Sequence, residues 1–117
     1  MLETDLNPLL HQSVRTRLAA YVAARGEATF SELKQALETT DGNLEGHVKK
    51  LIGAGYLWAD KAKGAGRPQT LYRLTSLGEG AFRDYVISLQ RLFYTLSAEM
   101  GREDEVRLRS DMTWLTD

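Results

Sequence analysis

The residues with chemistry to offer crowd into one stretch of this chain. From His47 to Thr75 there are six basic residues, Lys49, Lys50, Lys61, Lys63, Arg67 and Arg73, against one acidic residue, Asp60. That segment carries about +5 and the remainder about −6, in a chain whose formal net charge is −1. A polyanion responds to local charge, so such a patch suits phosphates; a solvated charged surface is the plainer reading. Beside it lie groups that match base edges. The Asn43 amide can pair with an adenine edge or cap its own helix, and Glu45 can accept from a cytosine amino group or stay in water. Lys49 and Lys50 suit phosphates better than bases. Arg67, just before Pro68, suits the narrow minor groove of A·T tracts, where negative potential is concentrated.

Other chemistries find little support. The chain has no cysteine, which removes disulfides, thiolate metal sites and cysteine nucleophiles. His47 reads as a phosphate contact or a half-buried packing residue; the only other histidine, His11, lies on a distant element, so no metal site is expected. Gly64-Ala65-Gly66 sits between two strands with no helix N-terminus after it, unlike a phosphate-binding loop. No set of histidine, carboxylate and nucleophile stands out. The expectation is a protein that is not an enzyme and uses no cofactor. No apolar run is long enough to span a membrane, and Met1-Leu2-Glu3-Thr4-Asp5 lacks the order of a secretion signal. A cytoplasmic location with no membrane partner follows as the expectation.

The elements that must position these residues are legible from caps and periods. Thr40 caps a helix over about 41–54, with Asp41 where the helix dipole favours negative charge. Leu44, Val48, Leu51 and Ile52 share its inner face, and Gly55 ends it. Gly42, Gly46 and Gly53 fall on the opposite face. Before it, Thr29 and Glu32 have capping-box spacing and open a short helix with Leu33, Ala36 and Leu37 inward. Two short helices so joined make a helix-turn-helix. Upstream, Asn7 and Pro8 open a helical turn, and Val14, Leu18, Tyr21 and Val22 line one face of a helix over Ser13 to Arg25, which Gly26 ends. Downstream, strands over 56–59 and 70–74 flank a glycine-rich basic loop, with pairing expected to begin after Pro68. Thr75 then caps a long helix from Ser76 to about Met100. In it Phe82, Tyr85, Leu89, Leu92 and Leu96 form a heptad seam widened by Val86, Phe93 and Met100. That stripe is too long for so small a core to cover, which predicts a homodimer.

With these residues in place, the chain resembles the winged-helix transcriptional regulators of the MarR and ArsR types, and most of all a small winged-helix DNA-binding family. The matching stretches are Val14-Arg15-Thr16-Arg17-Leu18, Phe30-Ser31-Glu32-Leu33, Asp41 through Leu51, Gly55-Tyr56-Leu57, Gly66 through Thr75, and Gly78. The resemblance implies an α+β, mostly α fold: a winged helix-turn-helix with a long C-terminal dimerisation helix. It implies one domain over 1–117, with helix-turn-helix and wing at about 6–75, dimerisation helix at about 76–100 and a charged tail at 101–117. It implies a homodimeric, sequence-specific regulator of double-stranded DNA, acting as a repressor. The recognition helix would enter the major groove and the wing, 60–69, the adjacent minor groove. Contacts to DNA would come from Ser31, Thr40, Asp41, Asn43, Glu45, Gly46, His47, Lys49, Lys50, Lys61, Lys63, Arg67 and Gln69. The dimer contact would use Leu6, Leu9, Leu10, Phe82, Tyr85, Val86, Leu89, Leu92, Phe93 and Leu96. Two departures are visible. The groove side of the recognition helix is bare glycine where similar regulators carry Ser, Thr, Gln or Arg, and the thiolates of ArsR-type metal sensors are missing. Two alternatives stay open: a winged-helix module that binds an acidic protein, and a regulator set by an unidentified small effector in a pocket at the dimer interface, lined by Tyr21, Tyr85, Phe93 and Tyr94.

Overall fold

The computed structural model describes residues 6–62 and 68–111. The order is α1 (Ser13–Arg25), β1 (Ala28–Thr29), α2 (Phe30–Leu37), α3 (Asp41–Gly53), β2 (Leu57–Ala62), β3 (Gln69–Leu74) and α4 (Ser76–Asp111). The chain divides into two units, Leu6–Tyr85 and a second that holds α4 from Val86 onward.

In the first unit the helices start where side-chain oxygens satisfy orphan amides. Gln12 accepts from Arg15 N, Thr29 from Glu32 N at 3.1 Å, and Thr40 from Asn43 N at 3.2 Å. At α2 the capping box closes differently from expectation. Glu32 receives the Thr29 hydroxyl instead of its backbone N–H. Gly55 takes φ +79, a left-handed turn that lets Tyr56 N reach back to Leu51 O at 2.9 Å.

Leu18, Leu33, Leu44 and Leu51 from the three short helices meet in one core with Ala19, Val22, Leu37 and Val48. Each fully buried leucine contributes about 1.5–3 kcal/mol. Two inward assignments fail: Ala36 is exposed, and Ile52 is 40% exposed. Both sit near the end of a short helix, where one more residue turns a side chain past the edge of the core.

The sheet has three antiparallel strands in the order β1-β3-β2. The outer pair runs from Leu57↔Leu74 to Ala62↔Gln69, so pairing resumes directly after Pro68. The third strand, β1, pairs Ala28 with Tyr72 and Thr29 with Leu71. Leu57 and Tyr72 face the core, and Trp58 and Arg73 stand outside, 45% exposed in the case of Trp58.

The first turn of α4 is fastened to the end of α3. Thr75 N donates to Tyr56 O at 3.0 Å, its hydroxyl donates to Gly55 O, and the same oxygen accepts from Gly78 N. A Cβ at Gly78 would collide with the Tyr56 carbonyl, so only glycine fits there. α4 continues past Met100 to Asp111, beyond the expected end. Gly101, at the point where the expected helix stops, costs about 1 kcal/mol relative to alanine, which a long helix can carry.

In the second unit α4 carries Ile87, Phe93, Tyr94 and Met100 exposed, Phe93 at 61% and Tyr94 at 76%. Val86, Leu89, Leu92 and Leu96 are half-buried. Of the expected dimer residues, Leu10 and Tyr85 are buried within the chain itself, at 1% and 4% exposure, and offer no surface to a partner. Leu6, Leu9 and Phe82 are half-buried. Tyr85 is likewise no open pocket wall: its hydroxyl lies 2.9 Å from His11 Nδ1, and its ring packs on Phe82.

Candidate nucleic-acid interface

α3 presents two unlike faces. Leu44, Val48 and Leu51 are buried. On the other side Gly42, Gly46, Lys49 and Gly53 recur at helical spacing, all exposed. Added Cβ atoms at the three glycines would meet nothing within 4 Å. This face is a smooth ridge of backbone with one lysine on it, flanked by exposed Glu45 and Lys50. A ridge without side chains can approach another surface closely, and it has few groups with which to read that surface.

Several expected contact residues are engaged within the chain. Asn43 donates its amide to Thr39 Oγ1 at 2.7 Å, so in the free chain that amide is engaged beside the start of the helix, where Thr40 is the cap. Asp41 pairs with Lys34 at 2.9 Å; both are well exposed, so the pair adds little stability and opens readily. Glu45 lies near the buried Tyr72. Burial first, and then Glu45, push that phenol up from its ordinary value, while a hydrogen bond from Thr70 acts the other way. Ser31, Thr40, Lys49, Lys50, Lys61 and Gln69 are exposed, and neither Lys49, Lys50 nor Lys61 is in an ion pair among the described residues. Lys63 and Arg67 lie outside the described residues.

The charge count of the basic segment needs one subtraction. Arg73 is 3.3 Å from Glu27 and its guanidinium covers the Trp58 ring at 5.4 Å. Its charge is therefore partly answered at the sheet, leaving Lys49, Lys50 and Lys61 as the uncompensated part among the described residues.

The residue that sequence reasoning missed is Arg15. It is 8% exposed, its Nε donates to Leu9 O, and its Nη1 is 2.9 Å from His47 Nδ1. A signal for it existed: Arg15 falls at i−3, i−4 and i−7 from Leu18, Ala19 and Val22, squarely on the buried face. His47 is thus half-buried against α1, which is the packing role among its readings. Among the described residues there is no group of three or more histidines or acids able to hold a metal, and no helix long and apolar enough to cross a membrane.

Known proteins share the sequence pattern and the fold. The chain is 33% identical over 84 residues to an uncharacterized protein of Methanocaldococcus jannaschii, covering 72% of this chain and 91% of that one. A solved transcriptional regulator homologue from Pyrococcus horikoshii OT3 superposes with a TM-score of 0.72 at 28% identity, over 77% of this chain and 89% of that one. A MarR mutant from E. coli superposes with a TM-score of 0.68 at 18% identity, over 94% and 81% of the two chains, which is a likeness of fold. Residues 14–93 match the winged helix DNA-binding domain family. That span takes in the helix-turn-helix, the β2–β3 wing and the foot of a MarR-like long helix, and the chain belongs to this family.

Proposed function

We propose that this chain is a homodimeric, cytoplasmic transcriptional regulator that represses by occupying operator DNA, with α3 in the major groove and the wing along the adjacent minor groove. The observation that carries the reading is the outer face of α3: a bare glycine ridge with Lys49 on it and Lys50 beside it. A helix so stripped can seat deeply in a groove while its lysines meet phosphates. With few side chains left to address base edges, much of the specificity comes from the shape and deformability of the duplex. The exposed Phe93 and the half-buried Leu89, Leu92 and Leu96 on α4 support a two-fold contact between copies. A two-fold pair would present two copies of α3 about one helical turn of DNA apart, roughly 34 Å, and so favour a near-palindromic operator.

The test is duplex binding across a salt series, comparing wild type with Arg67→Glu. Loss of a phosphate or minor-groove contact should weaken binding and lower the salt slope by about one. Equal affinity and slope in the two proteins would remove the wing from the mechanism. Failure of wild type to bind any duplex at low salt would favour the protein-binding module instead.

A further inference from the structure

The Arg15–His47 contact ties the candidate DNA-binding helix to the interior of the fold. Arg15 is a guanidinium buried without a carboxylate: it takes part in no ion pair among the described residues. Its N–H groups go instead to the Leu9 carbonyl and to an imidazole nitrogen. Arginine has only donors to offer, so His47 Nδ1 must accept, and the imidazole must be neutral with its proton on Nε2. A second proton would go onto Nδ1, the nitrogen that faces Arg15. The hydrogen bond would then be replaced by two donors and two positive charges at contact distance.

Among the described residues the surroundings offer no counter-charge. Arg15 from α1 and Lys50 from α3 itself bear on the imidazole, and both are positive. From α2, Lys34 is paired with Asp41 at the start of α3. The N-terminal turn contributes the Leu9 carbonyl, already taken by Arg15. β2, which packs on α3, carries Asp60 and Lys61 exposed, and no carboxylate is among the groups that act on His47.

We propose that Arg15 and His47 form a proton-sensitive latch that seats α3 for DNA binding, so that acidification releases the helix and weakens the complex. This rests on the DNA-binding reading given above. Arg15 is a positioning residue in this scheme: it acts on DNA only through the helix it holds. Burial, then Arg15, then Lys50 hold His47 below the ordinary imidazole range. The folded chain therefore takes up this proton less readily than the unfolded one. The contribution of the latch to stability is whole above about pH 6.5 and declines as the pH falls from there towards the lowered folded value. The sign is distinctive, because acid makes a protein more positive and by itself tightens binding to a polyanion.

His47→Asn tests it. The Asn Oδ1 stands near the place of Nδ1, accepts from Arg15 and cannot be protonated. Binding of wild type and variant to a labelled random-sequence duplex at low salt is measured from about pH 7.5 down to about pH 5.5. Wild type should lose affinity relative to the variant as the pH falls across this range, because only wild type can take up the proton that breaks the contact. Parallel profiles, or a relative gain by wild type, would overturn the proposal; a gain would mean that a charged His47 meets phosphate. Imidazole nitrogen spectra and the amide signals of α3, recorded without DNA, give a second decision. Expected are an Nε2–H tautomer at neutral pH and movement of the Leu44–Leu51 amides in step with the His47 titration. Titration without that movement overturns the latch. If neither protein binds duplex at any pH, the DNA-binding reading fails, and the spectra alone decide whether the latch exists.

Discussion

Leu44 and Leu92 are both leucines on an apolar helical stripe, and they meet different ends. Leu44, in the unit Leu6–Tyr85, is wholly buried by its own chain. Leu92, on α4 in the other unit, keeps part of its surface, with the 61%-exposed Phe93 beside it. The hydrophobic period is equally clean in both helices, so period alone shows which face wants cover and not what covers it. In α3 the cover comes from α1, α2 and β2. On α4 beyond Tyr85 the described residues leave Phe93 and Tyr94 exposed, and the proposed second copy would cover that side.

Three substitutions test that contrast. Leu44→Ala should cost about 2–5 kcal/mol, read as a large drop in melting temperature, because it opens a cavity in a closed core. A loss below about 1 kcal/mol would mean that the core is looser than its burial indicates. Leu92→Glu should lower the melting of a dilute, monomeric sample much less than Leu44→Ala does, because Leu92 keeps part of its surface. Its effect should appear in sedimentation as a monomer, with operator binding lost although the residue touches no DNA. A wild type that sediments as a monomer at micromolar concentration would break the contrast, since α4 would then need no cover. Gly46→Gln makes the smallest change in stability, neutral or a gain of up to about 1 kcal/mol from helix propensity. Nothing lies near that position in the free chain. It should nevertheless abolish duplex binding, measured by anisotropy. A variant that melts higher and binds as tightly would show that this face of α3 is not seated in a groove.

Much of this could be read from residues alone. Thr29, Thr40 and Thr75 announce three helix starts, because a hydroxyl ahead of an apolar period has one economical use. The strand pair was legible from its aromatic residues and from Pro68. The third strand was not: Ala28 and Thr29 are too few to show alternation, and they are a strand only because β3 lies alongside. Ala36 and Ile52 fit the period and still face out, since a period fixes an angle and not the extent of the core. At the site, the bare ridge of α3 was visible as glycines at i, i+4 and i+11. The tie of Asn43 to Thr39 was not visible, since it depends on how the chain turns into the helix. Arg15 escaped because arginine is ordinarily read as solvent-facing; its burial depends on partners, Leu9 O and His47, that adjoin it only after folding.

The junction at Tyr56 ties the turn after α3 to the start of α4. One carbonyl receives the Thr75 amide and leaves no room for a side chain at 78, while the neighbouring Gly55 carbonyl takes the Thr75 hydroxyl. The turn after α3 and the first turn of α4 are therefore joined by short contacts of backbone to backbone and of one hydroxyl to backbone. A side chain placed at Gly78 would therefore be felt on both sides of this joint, at the Tyr56 carbonyl as well as at the start of α4.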